Sequence, residues 1–135
     1  MKRLFSTKYS AGAFNTALLI LRFVAAGIML KHGYEKLVDF DGTLKFVSSL
    51  FSSYAKVMTV LLIFAELFCA VLMLLGLFTR FACIPLIIAM LVAIIKVHHN
   101  DFIDKGETAT LYLGCYIAIL LLGPGRISID SMIGK

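Results

Sequence analysis

Four stretches of this chain, each long enough to cross a bilayer and nearly free of charge, leave few ways for it to fold. They run from about Gly12 to Lys31, Val57 to Gly76, Arg80 to Val97 and Glu107 to Gly123. A hydrocarbon core of roughly 30 Å is crossed by a helix of about 20 mainly apolar residues, and within it every backbone N–H and C=O must find its partner inside the segment. The stretches are therefore expected as α-helices, apolar nearly all round, facing lipid on one side and one another on the rest. Composition agrees, with 61% of residues hydrophobic and 16% charged, against about 45–50% and about 25% in soluble domains. For 135 residues the expectation is one all-α integral membrane domain, a four-helix transmembrane bundle, with no room for a separate soluble catalytic domain.

The formal charge of +5 does not indicate nucleic acid, because the 13 Lys and Arg are scattered and form no run longer than Lys2-Arg3. The lipid bilayer is the expected partner. Cys69, Cys83 and Cys115 each lie inside an apolar stretch without a Cys-x-x-Cys pair, a pattern of small apolar fillers rather than of redox or zinc chemistry. Met1-Lys2-Arg3 before an apolar region has the outline of a secretory signal. Arg22 interrupts that region and no clean small-residue cleavage pattern follows, so it reads as an uncleaved first span.

Small residues recur at four-residue spacing, as in Ala13 and Ala17, Ala89 and Ala93, and Gly114 and Ala118. Such pairs let helix backbones approach in lipid, where association depends on close packing. Pro85 removes a backbone donor about one turn inside the third span and is expected to bend it mildly near Phe81. Asp104 or Gly106 can cap the fourth span, Glu107 complements its dipole, and Gly123-Pro124-Gly125 is a strong stop signal. Between the first two spans, Leu44, Val47, Leu50, Phe51 and Tyr54 alternate with Ser48, Ser49, Ser52 and Ser53. That spacing of three and four predicts a short interfacial or re-entrant helix starting near Asp41-Gly42-Thr43, the alternative being a loop.

Orientation is finely balanced. With the amino terminus inside, Lys2, Arg3, Lys8, Arg80, Arg126 and Lys135 lie on the inner side, and Lys31, Lys36, Lys45, Lys56, Lys96 and Lys105 on the outer. The positive amino-terminal cluster favours both termini in the cytoplasm.

Two charges fall inside the apolar windows. Arg22 lies ten residues past Gly12 and Glu66 nine past Val57, which places both near mid-membrane in antiparallel helices. An ionised side chain at a helix centre costs about 2.5–3.5 kcal/mol on insertion scales, so an Arg22–Glu66 salt bridge is expected. Either it fixes the register of the first two helices, or it lines a polar cavity for a small ligand. A second group, Lys31, His32, Lys36, Lys96, His98 and His99, gathers at the membrane face opposite the termini. It has no metal-ligand spacing beyond the adjacent His98-His99, so no metal is expected; a solvated interface is the plain reading, a proton relay or anion site the other. Tyr112 and Tyr116, one turn apart, either reach the cavity or pack in the core.

Taken in order, Arg22-x4-Gly27, His32-Gly33-x-x-Lys36, Glu66, Gly76-Leu-x-Thr79-Arg80, Gly106-Glu107 and Gly123-Pro124-Gly125-x-x-Ser128-x-Asp130 resemble the DoxX family of small four-helix bacterial membrane proteins. The resemblance implies a bacterial inner-membrane protein tied to oxidoreductase systems, the family being named after the membrane subunit of a thiosulfate:quinone oxidoreductase. Family members often carry Gly-Gly shortly after the second-span Glu; Cys69-Ala70 stands there in this chain and narrows the space beside Glu66.

Two functions of different class follow. One is a subunit that binds quinone or a comparable small molecule through Arg22, Glu66, His32, Lys36 and Tyr112 and serves an oxidoreductase partner. The chain carries no haem, flavin, iron–sulfur or metal motif, so electrons would come from another protein or from the substrate. The other is a non-catalytic scaffold or assembly factor recognising a partner membrane protein or a second copy of itself. Arg80, Pro85, Gly123, Pro124 and Gly125 are expected to be structural in both. A transporter ranks third, because no inverted repeat is evident.

Overall fold

In the computed structural model, which describes residues 3–134, the first apolar stretch becomes a helix much longer than the window that marks it. Helix α1 spans Ala11–Val38, 28 residues, and starts at Ser10, whose hydroxyl accepts from the Ala13 N–H at 3.1 Å. It does not stop at Lys31. Beyond that point the sequence turns polar but keeps good helix formers, and Lys31 faces Glu35 one turn on at 3.7 Å, an i,i+4 pair that supports the added turns. Lys2 and Lys135, used in the orientation count, lie outside the described residues, as does Met1.

Asp39 ends α1 and begins α2, Phe40–Leu50, where its carboxylate accepts from the Gly42 N–H. The short helix is thus present and starts within two residues of the expected signal, but it closes at Leu50, one turn before Tyr54. Val47 is its buried residue.

Helix α3 covers Ala55–Leu75 and α4 covers Thr79–Val97. Both change pitch to π-helix, α3 at Phe64–Cys69 and α4 at Ala93–Val97. Three residues join them, beginning with Gly76 at φ 72°, a left-handed conformation that glycine adopts without a Cβ penalty. Pro85 lies within α4, which continues past it to Val97. Helix α5, Glu107–Leu122, follows Gly106 and ends at Gly123, φ 84°, as the Gly-Pro-Gly signal predicts. A final turn, α6, spans Ile129–Met132.

Among the described residues the structure is all helical. By length and composition α1, α3 and α4 are able to cross a bilayer; α5 is apolar but shorter, 16 residues, or about 24 Å. The core lies where α1 packs on α3 and α4 on α5. Ala26, Met73, Cys83, Leu86, Tyr116 and Ile119 are all fully buried there. Outward, Ile20, Phe23, Val24 and Ile28 of α1 are about half exposed, the distribution a lipid-facing surface requires.

The small-residue pairs fare unequally. Ala89 is buried and Ala93 half-buried, but Ala13, Ala17 and Gly114 are exposed, so the fourfold spacing marks the helix interface only in α4. A close approach of one helix backbone to another is found elsewhere, at Gly33.

Candidate functional site

The two intramembrane charges do not meet. Arg22 is 1% exposed, and its guanidinium donates to four backbone carbonyls: Nε to Met73 at 3.1 Å, Nη2 to Leu74 at 3.0 Å, and Nη1 to Pro124 and Ile127, each at 2.8 Å. Met73 and Leu74 are among the last carbonyls of α3, which lack helical donors, so Arg22 caps that helix from the side and ties it to the chain after α5. The neighbourhood is closed by Gly76, where a Cβ would lie 2.5 Å from both Arg22 Nη2 and Ser128 Cβ. Asp130 completes the clasp: its carboxylate accepts from Phe78 N at 2.8 Å and Thr79 N at 3.0 Å, and its own N–H donates to Gly76 O at 2.9 Å. Phe78 is held at φ 48°, a left-handed conformation unusual for a bulky residue, in the loop that these bonds pin.

Glu66 instead pairs with Lys36. The expected Arg22–Glu66 bridge assumed that α1 ended near Lys31 and that equal distances into two windows meant equal depth. Because α1 continues to Val38, the helices are offset. Gly33 packs on the backbone of Glu66 and Leu67; a Cβ there would meet Glu66 C at 2.7 Å and Leu67 N at 2.8 Å. Gly33 is eleven residues beyond Arg22, so the backbone positions of Arg22 and Glu66 stand about 16 Å apart along the helix axis.

The pair itself is asymmetric. The Glu66 side chain is 5% exposed and that of Lys36 30%, so the carboxylate is inside the bundle and the ammonium connects it to the surface. Glu66 sits in the π-helical turn of α3, a distortion found often at functional sites. Tyr116, fully buried, lies within electrostatic reach of Glu66, Tyr112 and Cys83. Its hydroxyl donates to Ala25 O at 3.3 Å, and its ring stacks on Tyr112 with centroids 6.0 Å apart. α1, α3 and α5 thus contribute to the surroundings of one carboxylate, and α4 packs on the π-helical turn that carries it.

The remaining candidates stand apart from it. His32 Nδ1 is 3.9 Å from Glu35, with nearly half of its side chain exposed. Lys96 lies over the Phe51 ring, 5.5 Å from its centroid. His98 is half-buried and His99 exposed at φ 50°. Among the described residues no three His, Cys, Asp or Glu side chains gather as a metal site.

Sequence reasoning missed the Lys36–Glu66 pair and the clasping role of Asp130. A signal for the first was present: Gly33 and Lys36, three apart, share a helix face, so a glycine that admits a neighbouring backbone also aims Lys36 at it.

Comparison with known proteins bears on this geometry. The family model described as DoxX matches residues 17–99, which includes Arg22, Lys36 and Glu66. The chain is also similar to Inner membrane protein YphA of Escherichia coli strain K12, at 28% identity over 122 residues, covering 84% of this chain and 87% of that protein. No solved structure matches.

Proposed function

This chain belongs to the DoxX family, and from that premise we propose a four-span protein of the bacterial inner membrane that binds a quinone-class molecule and serves a membrane oxidoreductase. α1, α3, α4 and α5 are the spans, and α2 lies at the interface opposite the termini. The similarity to an inner membrane protein supports the location. The positive amino-terminal cluster, Lys2-Arg3 with Lys8, supports cytoplasmic termini.

The observation that carries the ligand reading is the Lys36–Glu66 pair, a carboxylate kept inside an apolar bundle and reached from the surface through one ammonium. Insertion alone gives no reason to keep either charge. The groups suit an amphipathic ring with polar oxygens: Lys36 has three N–H donors, of which Glu66 takes one, and Tyr112 offers an aromatic face and a hydroxyl. His32, on the same end of α1, stands at the entrance. Arg22 is left out of this set, because four of its five N–H donors are committed to backbone carbonyls. In this reading Lys36 hydrogen-bonds a ligand oxygen, Glu66 holds Lys36 in place, and the stacked tyrosines exclude water. A quinone, when bound, supplies the electron-accepting carbonyls.

The test is extraction of protein purified in mild detergent, with mass spectrometry of the extract. Quinone is expected to be retained above the level of the bulk lipid, and Glu66→Gln to reduce it about tenfold in protein that remains folded. Repeated preparations without quinone, or equal retention by a folded Glu66→Gln, would sink the ligand reading. A partner captured by crosslinking in native membranes, with nothing retained, would favour a scaffold.

A further inference from the structure

The terminal end of the bundle carries a second polar feature, independent of the Lys36–Glu66 pair. A recess of about 560 Å³ opens between the start of α4 and the chain that follows α5, with Arg80, Phe81, Leu122 and Arg126 among its lining residues. Arg80 is laid along its wall: a Cβ on Gly123 would stand 3.3 Å from Nη2 and 3.5 Å from Nε, so the guanidinium covers that glycine. Arg126 is anchored through its backbone, whose N–H donates to Asn15 Oδ1 at 2.8 Å. It also borders a smaller hollow of about 280 Å³ beside Tyr9 and Phe14. Among the described residues neither arginine forms an ion pair.

Three further observations narrow what the recess accepts. Thr79 lines it, is fully buried, and its hydroxyl has no hydrogen-bond partner among the described residues; a donor left so is costly, and an acceptor oxygen relieves it. Charge is segregated along the molecule: of the eight acids, Glu66 is inside, Glu35, Asp39, Asp41, Asp101, Asp104 and Glu107 lie toward the other end, and Asp130 alone belongs to this one; it too lines the recess, with its carboxylate engaged by the Phe78 and Thr79 N–H groups. The rim is apolar, with Phe78, Phe81 and Leu122 each about half to two-thirds exposed.

We propose that this recess binds the phosphate of an anionic membrane phospholipid between Arg80 and Arg126, with the lipid chains lying along Phe81 and Leu122. Arginine suits the task because its planar fork meets two phosphate oxygens at once, and basic pockets at helix ends are a recurrent way of holding anionic headgroups. The apolar rim distinguishes a phospholipid from inorganic phosphate, which has no use for it.

The experiment uses the full chain in a neutral detergent, titrated with phosphatidylglycerol, phosphatidylcholine or inorganic phosphate. Bound lipid is counted by native mass spectrometry and thermal stability is followed in parallel. Phosphatidylglycerol is expected to be retained and to raise the melting temperature, with phosphatidylcholine and millimolar phosphate doing neither. Arg80→Gln and Arg126→Gln should each weaken retention roughly tenfold, the loss of one charge-assisted contact. Equal retention of the two lipids by the wild-type protein overturns the proposal whatever the variants do. So does stabilisation by inorganic phosphate to the same extent, which would make the site one for the free anion. Undiminished retention by folded variants overturns it as well.

Discussion

A double-mutant cycle separates the two arrangements available to Arg22 and Glu66. In the structure Arg22→Met removes four hydrogen bonds from a buried guanidinium to backbone carbonyls. Each is worth about 1.5–3 kcal/mol when one partner is charged. They share one side chain and do not add, and methionine refills part of the volume, so the expected loss is about 3–5 kcal/mol, the scale for stripping a partner from a buried charge. Glu66→Gln leaves that clasp untouched. The sites are eleven residues apart on the α1 scale, about 16 Å, and share no hydrogen-bond partner, so the double variant should be additive to within about 0.5 kcal/mol. Lys36→Met combined with Glu66→Gln should instead show coupling of about 1–2 kcal/mol, toward the low end for contacting residues because the Lys36 side chain is 30% exposed. Unfolding by SDS in mixed micelles, followed by far-ultraviolet circular dichroism, reports all four corners of each cycle. Coupling above about 1 kcal/mol between Arg22 and Glu66, or none between Lys36 and Glu66, would refute the helix offset on which this reasoning rests.

Gly33→Ala places a Cβ 2.7 Å from a backbone atom of α3, forcing the helices apart at a cost of about 1–3 kcal/mol. Gly114→Ala, with nothing within 4 Å, should stabilise by up to about 1 kcal/mol through helix propensity; equal effects in the same unfolding assay would contradict the packing described. Asp130→Ala removes the acceptor for Phe78 N and Thr79 N and should cost about 1–2 kcal/mol, as for a lost helix cap, which a thermal melt resolves. Asp101, outside the apolar helices, is held below the ordinary carboxylate value of 3.8 mainly by the Asp104 N–H, with help from those of Lys105 and Ile103. Because the folded value is the lower one, its support of the α4–α5 loop is complete above the unfolded value and is lost as pH falls through the folded one. Amide exchange in that loop should rise over this acid range in the wild-type protein, and a flat profile there would remove Asp101 from the account; Asp101→Asn should abolish the dependence.

Much of the helical outline was legible along the chain. The apolar windows anticipate the ends of α3 at Gly76 and of α5 at Gly123, because a glycine with positive φ and a following proline or loop stop a helix through local backbone geometry. The start near Asp41-Gly42-Thr43 belongs to the same class, being a capping interaction over three residues. The far end of α1 was not legible from hydropathy, since Lys31, His32, Glu35 and Lys36 end an apolar window while still favouring helix. That single error moved the pairing of both charges inside the apolar windows. It turned Lys36 from a residue after the span into the partner of Glu66, and left Arg22 to be assigned a carboxylate it never reaches.

Local sequence decides how far each segment is apolar and where the backbone can turn, because transfer free energy and φ preferences act residue by residue. Transfer energy is almost indifferent to sliding one apolar helix along another. The axial offset therefore belongs to the tertiary structure, where Gly33 admits the backbone at Glu66, Arg22 gathers carbonyls from α3 and the chain after α5, and Asp130 pins the turn between α3 and α4. Those contacts join residues 33 to 105 positions apart in sequence, and they alone determine that Lys36, rather than Arg22, faces the carboxylate inside the bundle.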